Sequence, residues 1–470
     1  MNHIFREYDI RGVADTDLSD SFTWALGKTL AKRAAALGEK NIYICRDARL
    51  SGPRLQKALS HGLKAGGLNV KLIDPGPTPL LYFSTFCDLP GFPTKSGIMV
   101  TGSHNPAEYN GFKMLIAGET IHGKSIQALK EDVSRFMQEA PSTFEDSFEN
   151  SDIESLYLEH ITKNIELKKK LKVVVDAGNG AAGEIAPKLY KALGCEVVEL
   201  FCKPDGTFPN HHPDPTVAKN LVDLQKKVSE TQADLGIAFD GDGDRIGAVS
   251  AKGQILYGDQ LMLYFARDIL KEKPGATIIS EVKSSQILYD LLAKWGAKPI
   301  MWKTGHSLIK EKLKETKAEL AGEMSGHIFF AHRYYGFDDA VYSGARLLES
   351  LSERIGNENL DNFLDSLPKL CSTPENRIDC DESQKFSIVE AFVKKAKEDF
   401  GDKVNDIDGA RISFGNGAWG LLRASNTQAS LVFRFEAKSE EELDKISTYF
   451  INSLSDYKND IDLKLFKSRS

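Results

Sequence analysis

Residues 171–200 read LKVVVDAGNGAAGEIAPKLYKALGCEVVEL, and the order of apolar runs within them predicts the fold. It opens with an apolar β-branched run, which predicts a strand. Ile185, Leu189 and Leu193 then recur every four residues, which predicts a helix. Gly194 follows at a typical helix end, and the second apolar run CEVVEL predicts another strand. The stretch is therefore a βαβ unit.

The same order of runs occurs twice more along the chain. One copy begins with NIYICRD at 41–47 and the other with ATIISEVK at 276–283. Each continues through helical apolar spacing and a glycine into a further apolar run, LNVKLID at 68–74 and AKPIMWK at 297–303. Coincidence among short apolar runs is the alternative. A fixed order repeated three times instead indicates repeated structural units.

In each copy a third apolar run breaks into a polar loop that contains glycine. These loops are SGIMVTGSHNP at 96–106, DLGIAFDGDGDR at 234–245 and AELAGEMSGH at 318–327. Ligands of open α/β sheets bind beyond the carboxyl ends of the strands. We therefore expect the three loops to carry the chemistry and to face a common cleft.

The C-terminal part has a different pattern. Strands are predicted at 377–380, 410–414, 419–423 and 430–436, and helices at 385–400 and 440–454, which together indicate a small α+β domain with mostly antiparallel strands. The polar, acidic segment 138–155 predicts a linker. The expected architecture is three similar α/β domains with mixed sheets, at 1–148, 149–254 and 255–366, and a C-terminal α+β domain at 367–470.

Composition excludes several classes of protein. The 470 residues are 41% hydrophobic and 27% charged, which is typical of a globular chain. Lys and Arg number 60 and Asp and Glu 67, and the net charge of −7 argues against a nucleic-acid partner. No run approaches the roughly 20 apolar residues of a membrane span, and the first residues lack a signal-peptide core, so we expect a cytoplasmic protein with no membrane partner. The six cysteines form no CxxC pair, which argues against a zinc site or a disulfide framework.

The motif DGDGDR places three carboxylates at alternating positions. Asp240, Asp242 and Asp244 would repel one another without a cation, and ligation by oxygen alone favours Mg²⁺ when a phosphate supplies a further ligand. An EF-hand requires Gly at the sixth position and Glu at the twelfth, where this chain has Arg245 and Ala251. The remaining alternative is a solvated acidic turn.

Ser103 follows the apolar run IMV in the motif TGSHN. Neighbouring side chains of an extended segment point to opposite sides, so we do not expect Ser103 and His104 to form a nucleophile–base pair. A serine near a divalent cation could instead carry a phosphoryl group. A turn or N-cap serine is the structural alternative.

Two further loops have the composition of a sugar-phosphate site. Glu323 and Ser325 lie two residues apart, so in an extended chain they face the same side and could hold neighbouring sugar hydroxyls. Arg423 and the loop after it offer a guanidinium, hydroxyls and amides to a phosphate. An ordinary turn is the alternative for each. The other candidate cations are Arg11, Lys113, Arg245, Lys283, Lys303 and His306.

Together these motifs resemble those of the α-D-phosphohexomutase family, and most closely its bacterial phosphomannomutase/phosphoglucomutase branch. The matching segments are FREYDIRG at 5–12, TGSHNP at 101–106, DGDGDR at 240–245, GEMSGH at 322–327 and RASNT at 423–427. They occur in the order of the family along almost the whole chain. One departure is that Gln428 and Ala429 follow RASNT, where a proline is expected soon after the threonine.

The resemblance implies four domains around one cleft, the last with a TATA-box-binding-protein-like fold. It implies an isomerase that interconverts hexose 1-phosphate and hexose 6-phosphate, of mannose, glucose or both. The phosphoryl group would be carried on Ser103 and would pass through a bound hexose 1,6-bisphosphate. Asp240, Asp242, Asp244 and the phosphoserine would hold one Mg²⁺.

The resemblance also implies roles for the remaining residues. Glu323 and Ser325 would bind the sugar O3 and O4 hydroxyls. The residues that would grip the phosphate that does not react are Arg423, Ser425, Asn426 and Thr427. Others expected in the cleft are Tyr8, Arg11, Lys113, Arg245, Lys283, His306 and His327. Which of Lys113, His306 and His327 moves the sugar proton is left open.

Three alternative functions are open at this point. Phosphoglucosamine mutase is one, against which Met324 stands where that branch is expected to have Gln. A sugar-phosphate-binding protein without catalysis and a metal-dependent phosphatase are the others. We expect a small-molecule phosphosugar as the ligand and a monomer or weak dimer as the assembly.

Overall fold

The computed structural model describes residues 2–87, 89, 91–145, 147–354, 358–426, 428–457 and 461–462. The chain divides into two compact units. Unit one comprises Met1–Leu261 and Ser325–Leu364, and unit two comprises Met262–Met324 and Asp365–Ser470. Within the described ranges, no helix combines the length and the apolar character that crossing a bilayer requires.

Unit one contains a first mixed sheet, which leads into the serine loop. Its strands are β1 (Ile10–Val13), β2 (Asn41–Arg46), β3 (Asn69–Ile73), β4 (Gly97–Val100), β5 (Tyr109–Ile116), β6 (Glu119–Thr120) and β7 (Glu149–Ser151). They lie in the order β1-β5-β4-β2-β3-β7, with β6 paired to β5. The helices of this region are α1 (Asp20–Ala36), α2 (Gly52–Ala65), α3 (Thr78–Phe86), α4 (Lys124–Gln127) and α5 (Lys130–Phe136).

Helix α2 shows why the first copy of the repeat folds as predicted. Proline lies in its first turn, where the missing N–H has no intrahelical acceptor to lose. Leu55, Leu59 and Leu63 are fully buried on one face. The N–H of Gly66 donates to the Gly62 carbonyl at 3.0 Å and closes the last turn. The parallel pairing of β2 with β3 and β4 confirms the predicted βαβ arrangement.

A second mixed sheet in unit one leads into the aspartate loop. Its strands are β8 (Lys172–Asp176), β9 (Glu196–Leu200), β10 (Leu235–Phe239), β11 (Ile246–Ser250) and β12 (Ile255–Leu256), in the order β12-β11-β10-β8-β9. The accompanying helices are α6 (Ile153–Asn164), α7 (Ile185–Ala192) and α8 (Val222–Thr231). Strand β10 is parallel to β8 and antiparallel to β11, so the aspartate loop is the turn between β10 and β11.

The prediction of a linker at 138–155 is wrong over its second half. Strand β7 pairs in parallel with β3, through Lys71 with Glu149 and Ile73 with Ser151. Helix α6 begins at Ile153, where the carboxylate of Asp152 accepts the N–H of Ser155 at 3.0 Å. The polar composition of this segment suggested a linker. Strand pairing, however, uses main-chain groups, which polar residues supply as well as apolar ones.

Unit two combines a parallel sheet with an antiparallel one. The parallel strands are β13 (Thr277–Glu281), β14 (Lys298–Trp302) and β15 (Leu320–Gly322), with β13 between the other two, and the helices beside them are α10 (Gln286–Lys294) and α11 (His306–Thr316). The C-terminal strands are β17 (Cys371–Ser372), β18 (Asn376–Asp379), β19 (Val404–Asn405), β20 (Ala410–Gly415), β21 (Ala418–Ala424) and β22 (Ser430–Ala437). Their order is β17-β22-β21-β20-β19, with β18 paired to β22.

The C-terminal sheet is antiparallel throughout its described pairs, as predicted. Helices α14 (Lys385–Phe400) and α15 (Glu440–Ser453) supply apolar side chains to its core. Ile388 and Phe392 of α14 join Phe450 of α15 and Phe433 of β22 in one buried cluster. The remaining elements of the chain are α9 (Gly258–Glu272), β16 (Ile328–Phe330), α12 (Ala340–Glu353) and α13 (Leu360–Ser366).

Candidate active site

The serine loop of unit one leaves the carboxyl end of β4. Ser103 is 2% exposed and has a left-handed backbone, with φ of 51°. Its N–H donates to Thr101 Oγ1 at 2.8 Å, and its Oγ donates to Asp240 Oδ2 at 3.1 Å. The structure thus places the hydroxyl of the first α/β region directly against the aspartate loop of the second.

The expectation that Ser103 and His104 point apart is wrong. Ser103 Oγ lies 3.3 Å from His104 Nδ1, within hydrogen-bond range. An extended chain would point the two side chains apart, whereas the left-handed backbone at Ser103 turns its side chain toward that of the next residue. Burial, reinforced by Arg245 and Arg11, holds the pKa of His104 well below its usual value, so the ring is neutral.

The aspartate loop is closed on itself by one of its own carboxylates. Asp240 Oδ1 accepts the backbone N–H groups of Asp244 and Arg245, each at 3.1 Å. All three aspartates are fully buried, and one carboxylate oxygen from each lies within 4.8 Å of the others. A Cβ on Gly241 would come 2.4 Å from the Ser103 carbonyl oxygen, so only glycine allows the two loops this approach.

Lys113 from β5 partly neutralises these carboxylates. Its Nζ lies 2.6 Å from Asp242 Oδ2 and also contacts Asp244. Burial raises the pKa of Asp240 well above its usual value, and Asp244 and Asp242 add to the shift. Burial acts in the same direction on Asp242, but Lys113 outweighs it and lowers the Asp242 pKa. Asp242 and Asp244 likewise overcome burial at Lys113 and hold its pKa well above normal, so this ammonium stays protonated.

The donor set fits a hard divalent cation. Asp242 Oδ1 and Asp244 Oδ1 are buried and make no hydrogen bond within the described part of the chain. Lys113 and Arg245, whose Nε lies 3.9 Å from Asp240 Oδ2, do not balance the negative charge of three buried carboxylates. Ligands that are all oxygen match Mg²⁺ or Ca²⁺. Asp240, Asp242 and Asp244 are therefore the residues that would hold the ion, with Ser103 Oγ beside them.

Arg245 and His327 meet on the far side of the same loop. Arg245 Nε donates to His327 Nε2 at 3.0 Å, which fixes the ring proton on Nδ1. His327 Nδ1 lies 3.0 Å from Asp338 Oδ2 and 3.6 Å from Asp244 Oδ1. Sequence reasoning missed Asp338. Its only signal was the acidic pair Asp338 and Asp339 shortly after GEMSGH.

Strand β1 supplies a further cation to the serine loop. Arg11 Nη1 donates to Asn105 Oδ1 at 3.1 Å, and Nη2 pairs with the buried carboxylate of Asp9. Tyr8 is buried at the start of the same motif. Ser325 also belongs to unit one and is half-buried.

In unit two, Glu323 holds the loop that precedes α11. Its Oε1 accepts the N–H of Gly305 at 2.6 Å, and His306 is the first residue of the helix. Gly305 has φ of 131°, a backbone conformation that favours glycine. Glu323 therefore has a structural partner in addition to its predicted sugar contact.

Three cations of unit two surround one carboxylate. Lys283 Nζ lies 2.9 Å from Glu375 Oε2, and Arg377 Nη2 lies 2.5 Å from its other oxygen. Burial would raise the pKa of Glu375, but Lys283, Arg377 and Arg423 lower it well below normal. The three cations thus meet at one carboxylate, and phosphate binding by Lys283 and Arg423 stays a prediction. Arg377 was missed because it lies 46 residues before Arg423 in the sequence and is brought close only by the pairing of β18 and β21 with β22.

The loop after β21 is anchored on both sides. Arg423 Nε donates to Asp408 Oδ2 at 2.9 Å, and the Ser425 N–H donates to the Ser430 carbonyl at 2.9 Å. Lys385 Nζ donates to the Ser425 carbonyl at 2.6 Å. Asn426 is half-buried in this loop. Thr427, predicted to bind phosphate, lies outside the described residues.

Comparison with known proteins identifies related chains. Family models described as phosphoglucomutase/phosphomannomutase alpha/beta/alpha domains I, II and III and C-terminal domain match residues 2–139, 155–253, 257–371 and 375–453. The chain is 48% identical over 451 residues to a phosphomannomutase/phosphoglucomutase of Pseudomonas aeruginosa, which covers 96% of this chain and 95% of that protein. It is 44% identical over 448 residues to a phosphoglucomutase of Neisseria gonorrhoeae, with 95% of each covered.

A solved structure agrees with these matches. The crystal structure of a phosphoglucomutase/phosphomannomutase family protein from Burkholderia thailandensis superposes with a TM-score of 0.90 at 44% identity, covering 98% of this chain and 99% of that one. The fold and the loops define a phosphohexomutase architecture of three α/β domains and a C-terminal α+β domain. The chain belongs to the phosphoglucomutase/phosphomannomutase family, within the α-D-phosphohexomutases.

Proposed function

We propose that this chain interconverts hexose 1-phosphate and hexose 6-phosphate, of mannose, glucose or both, through a phosphoryl group carried on Ser103. The observation that carries the proposal is the contact of Ser103 Oγ with Asp240 Oδ2 at 3.1 Å. It sets a buried serine hydroxyl against the acidic loop best suited to hold a divalent cation. We also propose four domains with the boundaries expected from the sequence.

The transfer is a balanced exchange of one phosphoryl group. The P–O bond at Ser103 Oγ breaks, a P–O bond forms to the free O6 or O1 of the bound sugar, the sugar hydroxyl gives its proton to a base, and the released Ser103 Oγ takes up a proton. The resulting 1,6-bisphosphate turns over; the P–O bond at its other end then breaks as a P–O bond forms to Ser103 Oγ, which gives up its proton, and the freed sugar oxygen takes up a proton. Such a transition state depends on position and charge more than on covalent help.

One Mg²⁺ bound by Asp240, Asp242, Asp244 and the phosphorylated Ser103 would supply positive charge to the transferring group. Lys113 adds an ammonium from the side of Asp242 and Asp244. Asp242 and Asp244 hold the pKa of Lys113 high, so in the metal-free chain its ammonium serves as a fixed charge. The group that moves the proton of the sugar hydroxyl is one of Lys113, His306 and His327.

The remaining residues bind and orient the phosphosugar. Glu323 and Ser325 take the O3 and O4 hydroxyls, which glucose and mannose share. Lys283 and the loop of Arg423, Ser425, Asn426 and Thr427 take the phosphate that is not reacting. Tyr8, Arg11 and Arg245 complete the set on the side of the serine loop. An intermediate that reorients within the site requires a phosphate-binding site that accepts the phosphate at either end of the sugar.

The test combines intact-mass measurement with an isomerisation assay. After incubation with glucose 1,6-bisphosphate and Mg²⁺, the wild-type chain gains one phosphoryl mass and converts glucose 1-phosphate. Ser103→Ala gains none and loses the conversion. Ser60→Ala is the matched control, because Ser60 is a buried serine of α2 bonded to the Gln56 carbonyl. Full activity in Ser103→Ala would overturn the proposal.

Substrate comparison separates the alternatives. Mannose 1-phosphate, glucose 1-phosphate and glucosamine 1-phosphate are assayed in parallel. We expect the first two to be converted at higher kcat/KM, and a strong preference for the amino sugar would instead indicate phosphoglucosamine mutase. Release of inorganic phosphate in proportion to substrate consumed would indicate a phosphatase.

A further inference from the structure

The backbone at Ser103 is held in a conformation that a serine seldom adopts. Its φ of 51° lies in the left-handed region, which is unfavourable for residues with a Cβ. Such a conformation persists only where the surroundings determine it. Side chains around the loop from 101 to 109 must therefore hold it in this shape.

Arg49, in the turn between β2 and α2, holds most of that loop by its main chain. Its Nη2 donates to the carbonyls of Ser103 at 2.7 Å and Asn105 at 2.6 Å. Its Nη1 donates to the carbonyls of Pro106 at 2.5 Å and Tyr109 at 2.9 Å. The side chain of Arg49 is fully buried.

Asp47 completes the arrangement from the end of β2. Arg49 Nε donates to Asp47 Oδ2 at 3.1 Å, so each of the five N–H groups of the guanidinium has one acceptor. The same carboxylate oxygen accepts from Thr101 Oγ1 at 2.7 Å and from the Gly102 N–H at 3.3 Å. The pair thus binds the main chain immediately before and after the Ser103 side chain.

A loop that follows β9 seals this network from the other side. The Phe208 ring lies over the Arg49 guanidinium, with 5.2 Å between the ring centroid and Cζ. A Cβ on Gly206 would come 2.5 Å from the Ala48 carbonyl oxygen, so the two segments are in close contact. Water is kept from the guanidinium, which strengthens its hydrogen bonds to the carbonyls.

We propose that Arg49, oriented by Asp47 and covered by Phe208, is a positioning residue that fixes the direction in which Ser103 presents its Oγ for phosphoryl transfer. The inference rests on the proposed role of Ser103. All five N–H donors of Arg49 bond to acceptors within this chain, so Arg49 acts through the backbone at Ser103 and not on the substrate. A lysine keeps the charge but has three donors at one point, so it cannot reproduce the planar fork.

Arg49→Lys is therefore expected to lower kcat about 100-fold, the effect of misplacing a reacting group by roughly 1 Å, while KM for glucose 1-phosphate stays within about threefold. The rate at which glucose 1,6-bisphosphate phosphorylates Ser103, followed by intact mass, should fall in parallel. Arg54→Lys is the matched control, since Arg54 lies in α2 with a partly exposed side chain and should leave both rates unchanged. A merely structural role would lower the amount of folded protein without this split between kcat and KM.

Phe208→Ala provides a second variant in case Arg49→Lys does not fold. It uncovers the guanidinium without removing it, and we expect kcat to fall about threefold to tenfold with KM unchanged. Wild-type kcat in a folded Arg49→Lys, or in Phe208→Ala when Arg49→Lys does not fold, would overturn the inference. Ser103→Ala distinguishes failure of this inference from failure of the proposed function. If Ser103→Ala keeps its activity, the proposed phosphoserine mechanism itself is wrong.

Discussion

Gly241 lies so close to Ser103 that a methyl group on it would sit 2.4 Å from the serine carbonyl oxygen. That oxygen is a hydrogen-bond acceptor within a fixed loop, so it cannot move aside freely. The contact sets the separation between the hydroxyl of Ser103 and the carboxylate of Asp240.

Gly241→Ala is expected to separate the two loops while leaving both sheets folded. Because a displacement near 1 Å at a reacting group costs about 100-fold, kcat should fall by roughly that factor. The kinetic assay with glucose 1-phosphate measures it. Gly253→Ala is the control, since a Cβ there has no neighbour within 4 Å, although its φ of 84° adds a backbone strain that is absent at Gly241. Equal activity in the two variants would contradict the expected spacing effect.

Removal of divalent cations is expected to abolish isomerisation and to lower the thermal unfolding midpoint. The three buried carboxylates then have Lys113 as their main counter-charge. Ligand binding to the folded state alone stabilises it, by about 2.7 kcal/mol at 100 times the dissociation constant. Chelation followed by titration with Mg²⁺, read by calorimetry and by activity, measures both effects. Full activity after exhaustive chelation would exclude a required metal.

Lys113→Met is expected to destabilise the metal-free protein far more than the Mg²⁺-loaded protein. Deleting one partner of a buried ion pair costs about 3–5 kcal/mol, since the other charge remains buried. A bound cation replaces part of the missing charge. Unfolding of both forms with and without Mg²⁺ gives the difference, and kcat should fall about 100-fold or more if Lys113 also donates a proton. Equal destabilisation in the two conditions would show that Lys113 does not compensate for the ion.

Arg377→Gln tests the cation that the sequence did not reveal. Removing one of the three charges around Glu375 should raise KM for the phosphosugar about tenfold and change kcat little, because hydrogen bonds to charged groups contribute about 1.5–3 kcal/mol. Lys397→Gln, which breaks an exposed ion pair with Asp406, is the matched control. An unchanged KM in Arg377→Gln would remove it from the phosphate site.

Asp339 predicts a pH dependence of stability. Its carboxylate is buried and accepts hydrogen bonds from the hydroxyls of Tyr157 and Tyr334 and from the N–H of Tyr342. Burial outweighs these bonds and raises the pKa of Asp339 to about 7. The folded chain therefore keeps a proton that the unfolded chain loses near pH 4, so the stabilisation is complete below roughly pH 4 and is lost as the pH rises through about 7.

Asp339→Asn removes that titration and keeps an acceptor for the start of α12. Comparing the unfolding free energy of both proteins at pH 4.5 and pH 7.5 isolates the contribution of this one group, which is up to roughly 4 kcal/mol. We expect the variant to lose less stability over this interval than the wild type. Identical pH profiles would show that the carboxyl titrates near its ordinary value.

Much of the fold could be predicted from the sequence because its signals are local. Apolar spacing and glycine ends located α2, α7 and α10, and the C-terminal helix 385–400 was predicted with its observed bounds. The segment containing β7 was misassigned, since main-chain pairing leaves no mark on composition.

The residues of the candidate site also divide into those that local motifs predict and those that only the folded structure brings together. Ser103 and the three aspartates stand in short motifs that follow predicted strands. Arg377 could not be predicted, because Arg423 lies far away in the chain and is brought close only by sheet pairing. Asp338 lies close to His327 in the sequence, but their contact depends on an isolated bridge between Phe329 and Asp338 that has no sequence signal. The contact of Ser103 with His104 was missed because it depends on one left-handed residue.

The pairing of β7 with β3 also decides how this protein can be divided into fragments. The family model for the first domain ends at residue 139, ten residues before β7 begins at Glu149. A fragment cut there would leave the main-chain donors and acceptors of β3 open along one sheet margin, a template for pairing with other copies. We expect a 1–139 fragment to self-associate in gel filtration and a 1–152 fragment to do so less.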